Sequence, residues 1–125
     1  MEPAAAVVDR YATRDVEVAG AEIARGDLVR VSLAGANRDP AVFPDPDRFD
    51  PGRANVRSQL AFAKGPHVCV AMDLARLEAR VALRTLAARL PELQPSRPVR
   101  PRGLVFRKPA SLWVRPCEQG DSAFS

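Results

Sequence analysis

The sequence predicts an α+β domain, and three observations carry that reading. Residues 15–33 alternate apolar and polar side chains with period two, interrupted at glycines. Residues 70–90 repeat apolar side chains at helical spacing. Between them stand Pro40, Pro44, Pro46 and Pro51, which exclude a regular helix or a central strand. With 125 residues, 46% of them hydrophobic, the chain suits one small domain with a modest core. Only 6% are aromatic, so few large side chains are available to fill it.

The elements follow in order. A short apolar patch, Ala4 to Val8, precedes Asp9, Arg10 and Tyr11. Asp15-Val16-Glu17-Val18 is closed by Ala19-Gly20, and Ala21-Glu22-Ile23-Ala24 by Arg25-Gly26-Asp27, which reads as a tight hairpin. Leu28 to Leu33 is a third strand, rich in branched residues. Residues 34–58 form an irregular meander, which Phe43 and Phe49 are expected to pin to the core. A long irregular stretch inside a compact domain is often functional. Leu60-Ala61-Phe62 leads into the loop Ala63-Lys64-Gly65-Pro66-His67-Val68-Cys69.

A helix then spans about Val70 to Leu90, with Leu74, Leu77, Val81, Leu86 and Leu90 near one face. Arg76, Arg80 and Arg84 form a row on another face, and Pro91 ends the helix. A Pro/Arg-rich linker follows over 91–102. Leu104-Val105-Phe106 and Leu112-Trp113-Val114 predict a final hairpin around Lys108-Pro109-Ala110. The domain is expected to fill residues 1–115, with 116–125 a flexible tail.

The net charge is +4, and apart from Lys64 and Lys108 the positive residues are arginines. They are spread along the chain without a dense basic run or interleaved aromatics, which argues against nucleic acid as partner. A mild positive field suits an acidic protein instead. Two cysteines, Cys69 and Cys117, do not make a disulfide framework, so a reducing cytoplasm is the expected setting. The first residues lack the charged and apolar regions of a signal peptide. No apolar run reaches the length of a membrane span.

Chemistry concentrates between Phe62 and Cys69. The start of a helix favours the thiolate form of a cysteine, and thiolate is the form that binds a metal. Gly65 lets the backbone turn sharply and come close to a flat ligand. Pro66 stiffens the turn, His67 can donate to an anion, and Phe62 can pack on a macrocycle edge. One thiolate with no second cysteine or histidine nearby is not a tetrahedral zinc site. It suits a cofactor that brings four ligands of its own, namely haem. Taken alone, Cys69 also fits a small buried apolar residue at a helix start, the usual fate of a free cysteine. A Cys/His catalytic pair is a further option, although no third orienting residue is apparent.

Phe62-x-x-Gly65-x-His67-x-Cys69 resembles the cysteine-loop signature of cytochrome P450, particularly of the soluble bacterial kind. Ala36-Asn37-Arg38-Asp39-Pro40, Phe43 to Asp50 and Arg53 resemble the meander of that family. Gln59 to Phe62 resembles the entry to its loop, and Leu74-Ala75-Arg76-Leu77-Glu78 the helix that follows. Gly20, Ile23 and Gly26-Asp27 resemble its upstream hairpin. These motifs run in one collinear order over roughly residues 8–115.

The resemblance implies the C-terminal portion of a mainly α family fold. It implies haem b held by Cys69 as the proximal thiolate and iron ligand, with His67 and Arg10 on the haem propionates. Gly65 would allow close approach, and Phe62 would shield the sulfur. Arg48 matches the meander arginine that pairs with a Glu-x-x-Arg element. The activity implied is O₂-dependent oxidation of a small organic substrate, with electrons from a ferredoxin-type donor that meets the face bearing Arg76, Arg80 and Arg84. No residue of this chain is assigned a catalytic role.

Two loop positions depart from the pattern: Ala63 and Ala71 stand where glycine is usual. Ala71 is comfortable early in a helix, whereas Ala63 matters if its position requires a positive φ. The larger departure is length. The distal helix over the haem and the Glu-x-x-Arg element are expected upstream of the match, and Glu2 does not supply the latter. Apolar surface on the strands and on the helix after Cys69 is therefore expected to lie uncovered. Three readings follow: a truncated haem-thiolate monooxygenase, a degenerate relative without oxygenase activity, and an interaction module completed by a complementary upstream chain.

Overall fold

Alternation at 15–24 does produce the hairpin. In the computed structural model, which describes residues 3–90 and 92–116, β2 (Val16–Val18) pairs antiparallel with β3 (Ala21–Ile23). Ala19 (φ 51°) and Gly20 (φ 82°) both lie in the left-handed region, as the twist of a two-residue hairpin turn demands. Asp15 Oδ1 accepts from the Arg25 backbone N–H at 2.8 Å and closes the open end.

This hairpin is the tip of a longer ribbon. β1 (Val7–Tyr11) pairs antiparallel with β4 (Leu28–Ser32), in register from Val7 opposite Ser32 to Tyr11 opposite Leu28. β4 is the expected third strand. β1 was not expected as a strand, because Val7-Val8-Asp9-Arg10-Tyr11 does not alternate. Its pairing comes from the intervening hairpin, which folds β4 back alongside it. Asp9 faces Arg30 across the ribbon, and the guanidinium grips the carboxylate with two hydrogen bonds of 2.8 and 3.0 Å. The bonds from Arg30 hold the Asp9 carboxyl below the usual carboxylate range.

Beyond β4 the chain makes one short helical turn, α1 (Leu33–Ala36), capped where Ser32 Oγ accepts from the Gly35 N–H. The meander then runs irregularly, as its prolines require. Proline carries no N–H, so local backbone turns such as Phe43 N–H to the Asp39 carbonyl are supplemented by side-chain donors. Arg53 donates to the carbonyls of Pro44, Asp45 and Arg48. Asn55 Nδ2 donates to Val42, and Arg38 pairs with Asp47.

The core is small: Pro3, Ala6, Val7, Leu33 and Phe43, with Asn37 buried among them at 3% exposure. Phe43 is pinned as expected. Phe49 is not; at 92% exposure it stands on the rim of a cavity of about 600 Å³ that Arg48 and Arg53 also line. The backbone reverses at Asp45 (φ 51°), between the two rings, and Phe49 is left outside the core.

The long helix is α2 (Met72–Arg89). Its expected apolar face is present, but no α2 residue is buried. Pro91, expected to end the helix, lies outside the described residues. The C-terminal antiparallel pair forms with different strands than expected. β5 (Leu93–Pro95), inside the expected linker, pairs with β6 (Val114–Pro116). Residues 105–107 are captured instead by the chain ahead of β1: Ala6 N–H donates to Val105 at 2.8 Å and Arg107 N–H to Ala4 at 3.1 Å. Of the expected tail, Pro116 closes β6; residues 117–125, Cys117 among them, lie outside the described residues.

Candidate functional site

The cysteine loop is built from its entry. Asn37, at the end of α1, reaches 23 residues along the chain, and its Oδ1 accepts from the Leu60 N–H at 2.7 Å. This bond fixes where the meander hands the chain to the loop. Gln59 Oε1 accepts from Ala61 N–H at 2.6 Å, and Leu60 carbonyl from Ala63 N–H at 2.9 Å.

Two left-handed residues then bend the loop, Ala63 (φ 60°) and Gly65 (φ 81°). Gly65–His67 forms a 3-10 turn with Pro66 as its second residue. The ring closes where Cys69 N–H donates to the Phe62 carbonyl at 2.9 Å. Cys69 carbonyl accepts from Met72 N–H at 3.2 Å, which leads directly into α2. Cys69 is a free thiol on the exposed surface, so the reading of a buried apolar cysteine does not hold.

The two departures from glycine behave differently. Ala63 occupies the backbone region where a Cβ costs about 1 kcal/mol. Ala71, the residue before α2, has φ −92° and ψ 15°, ordinary for any residue, and its methyl is exposed.

Phe62 is half-buried, and the Arg76 guanidinium lies over its ring, 5.4 Å from the centroid. Sequence reasoning put Arg76 in one row with Arg80 and Arg84, on the face an electron donor would meet, and missed this contact. The second turn of a helix lies back over the chain that enters it, and that spacing was the available signal. Asn37 and Arg53 were likewise seen without their tasks. A proline-rich stretch short of N–H groups calls for donors from side chains, and Arg53 and Asn55 supply them.

His67 ends the 3-10 turn and is exposed. Arg10 sits on β1, exposed, and donates to the Asp9 carbonyl at 2.8 Å. The described contacts tie Phe62 to Cys69 and Gly65 to Val68; they do not tie Arg10 to the loop. Arg48 is exposed in the meander. Among the described residues, no three or more His, Cys, Asp or Glu side chains gather as a metal cluster. One thiolate sulfur and one imidazole are too few to enclose a metal ion, and they suit a group that brings further ligands of its own. The space beside Gly65 is open: a Cβ built there meets nothing within 4 Å. A flat macrocycle is thus not obstructed at that point.

Known proteins match this arrangement. The family model of cytochrome P450 matches residues 1–101. Cytochrome P450 140 of Mycobacterium bovis is 55% identical over 85 residues, 68% of this chain and 19% of that protein. The 6-deoxyerythronolide B hydroxylase of Saccharopolyspora erythraea is 46% identical over 84 residues, 67% of this chain and 20% of its own length. Among solved structures, cytochrome P450 CYP109Q5 from Chondromyces apiculatus superposes with a TM-score of 0.86 at 39% identity, covering 92% of this chain and 30% of that one. The structure of P450BioI with a hexadec-9Z-enoic acid ligated acyl carrier protein gives 0.83 at 38% identity, covering 90% and 30%. The chain spans about a fifth of the curated relatives' length and under a third of the solved structures. A collinear fold, a closed cysteine loop and a family match over residues 1–101 together make the chain a member of the cytochrome P450 family.

Proposed function

We propose that this chain is the haem-ligand portion of a cytochrome P450 monooxygenase, with Cys69 as the proximal thiolate. The observation that carries the reading is the closed loop, which holds Cys69 exposed through its N–H bond to Phe62. Cys69 would hold the iron. His67 and Arg10 would meet the propionate carboxylates as donors, Arg10 keeping its charge when covered. Phe62 would keep water from the sulfur, and Gly65 would admit the ring edge. Haem so ligated supplies reductive O₂ activation and transfer of one oxygen to an organic substrate. An acidic ferredoxin-type donor would meet the cationic side of α2, where Arg80 and Arg84 are exposed. The reading places the protein in the cytoplasm, where a thiolate stays reduced. No helix among the described residues is long and apolar enough to cross a membrane.

A second reading rests on the bare apolar face of α2. In it the chain acts only when a complementary P450 segment covers that face and supplies the distal wall and a carboxylate for Arg48. Unaided oxygenase activity is not part of either reading.

The test is reconstitution with haem, reduction, and addition of carbon monoxide. A thiolate-type Soret band that vanishes in Cys69→Ser is the expected result. Identical spectra for the two proteins overturn the assignment. Co-expression with the upstream part of a bacterial P450 should raise haem retention; no gain removes the second reading.

A further inference from the structure

We infer that Arg76 is a positioning residue for the cysteine loop, latching α2 to the loop's entry through the ring of Phe62. Phe62 has two attachments. Its carbonyl accepts the Cys69 N–H at 2.9 Å, and its ring carries the Arg76 guanidinium 5.4 Å from the centroid. A chain of contacts therefore runs from the second turn of α2, through Phe62, to the backbone of Cys69. None of the α2 residues is buried, so beyond the Met72 N–H bond to the Cys69 carbonyl little packing holds the helix among the described residues. The loop itself carries strain at Ala63. A strained loop joined to an uncovered helix needs a tie, and this contact is in the right place to be one.

The guanidinium is aimed as well as attached. Asp73 Oδ1, one turn earlier on α2, stands 3.8 Å from Arg76 Nη1, at the edge of ion-pair range. Asp73 is almost wholly exposed, so it biases the side chain without burying it. Arg suits this task better than Lys, because its planar group lies flat on a ring. The consequence is a division within the arginine row: Arg76 faces the loop, while Arg80 and Arg84 remain for a partner.

The latch is a property of the chain itself. Its relevance to iron ligation rests on the haem reading proposed above, and the two are tested separately. Backbone amide exchange of Cys69, in the chain without haem, reports the latch. Arg76→Met keeps the length and removes the charge, and it should speed Cys69 exchange roughly two- to five-fold, the change expected for losing one exposed cation–π contact. Amides at the centre of α2, such as Ala82, should not change. Arg76→Lys should recover part of the protection. Adding Phe62→Leu to Arg76→Met should change exchange by less than Phe62→Leu does alone, because the two residues act as a pair. Unchanged Cys69 exchange in Arg76→Met, or fully additive effects, overturns the latch. In the haem-loaded protein, Arg76→Met should lower the share of the thiolate-type band. A wild-type spectrum identical to that of Cys69→Ser would fail the haem reading while leaving the exchange result to decide the latch.

Discussion

At the residue scale, Ala63 and Asp9 make opposite contributions. Ala63 holds φ 60° in the middle of the loop, a region that disfavours any side chain. Replacing it by glycine removes that penalty and raises unfolding free energy by up to about 1 kcal/mol, less the glycine entropy gained by the unfolded chain. Urea denaturation of Ala63→Gly checks this; a loss of stability would show that the methyl makes a contact worth more than the strain. Asp9 stabilises the ribbon through Arg30, and its carboxyl titrates below the ordinary 3.8. A group whose pKa is lower in the folded state contributes stability above its unfolded pKa and loses it as pH falls through the folded one. The β1–β4 pairing should therefore loosen in acid, below about pH 4. Amide exchange of Asp9, Arg30 and their neighbours across an acid titration follows this, and Asp9→Asn should flatten the profile.

Among the elements, legibility depended on how local the cause is. The β2–β3 hairpin was readable because alternation and a Gly turn sit within ten residues. α2 was readable from its spacing, while its start fell at Met72 and not at Val70. β1 was not, because its partner β4 begins 17 residues after it ends and VVDRY does not alternate. The C-terminal strands were misplaced for a related reason. Leu104–Phe106 has strand composition, but its partner is Ala4–Ala6, at the other end of the chain. Cys69, Gly65 and Phe62 were legible as a spaced motif. The Phe62–Arg76 contact was not, because it depends on how α2 leaves the loop. For α2 the exposed face has a measurable consequence. Leu77 is 54% exposed, so Leu77→Ala should cost within about 0.5 kcal/mol in this chain, against roughly 2–5 kcal/mol for a buried leucine. A loss in the larger range would show that α2 is covered in solution, by another copy or by a partner.

For the whole molecule, surface is the governing quantity. The chain exposes 10590 Å², whereas a compact monomer of 13.6 kDa exposes about 6,600 Å². The excess includes Leu74, Leu83, Leu104, Phe106 and Trp113. Such a molecule should bind an apolar dye strongly, and co-expression with a complementary P450 segment should reduce that binding; dye fluorescence unchanged by the added segment counts against coverage of this surface. The Arg53 clamp bears on how such an assembly would come about. All three of its carbonyl acceptors lie within nine residues, so closing it costs little chain entropy and needs no distant partner. The part of the meander that Arg53 holds is thus tertiary structure written in local contacts, and it should form early in folding. It would wait, already bent, as a template on which slower, long-range docking and cofactor capture are completed.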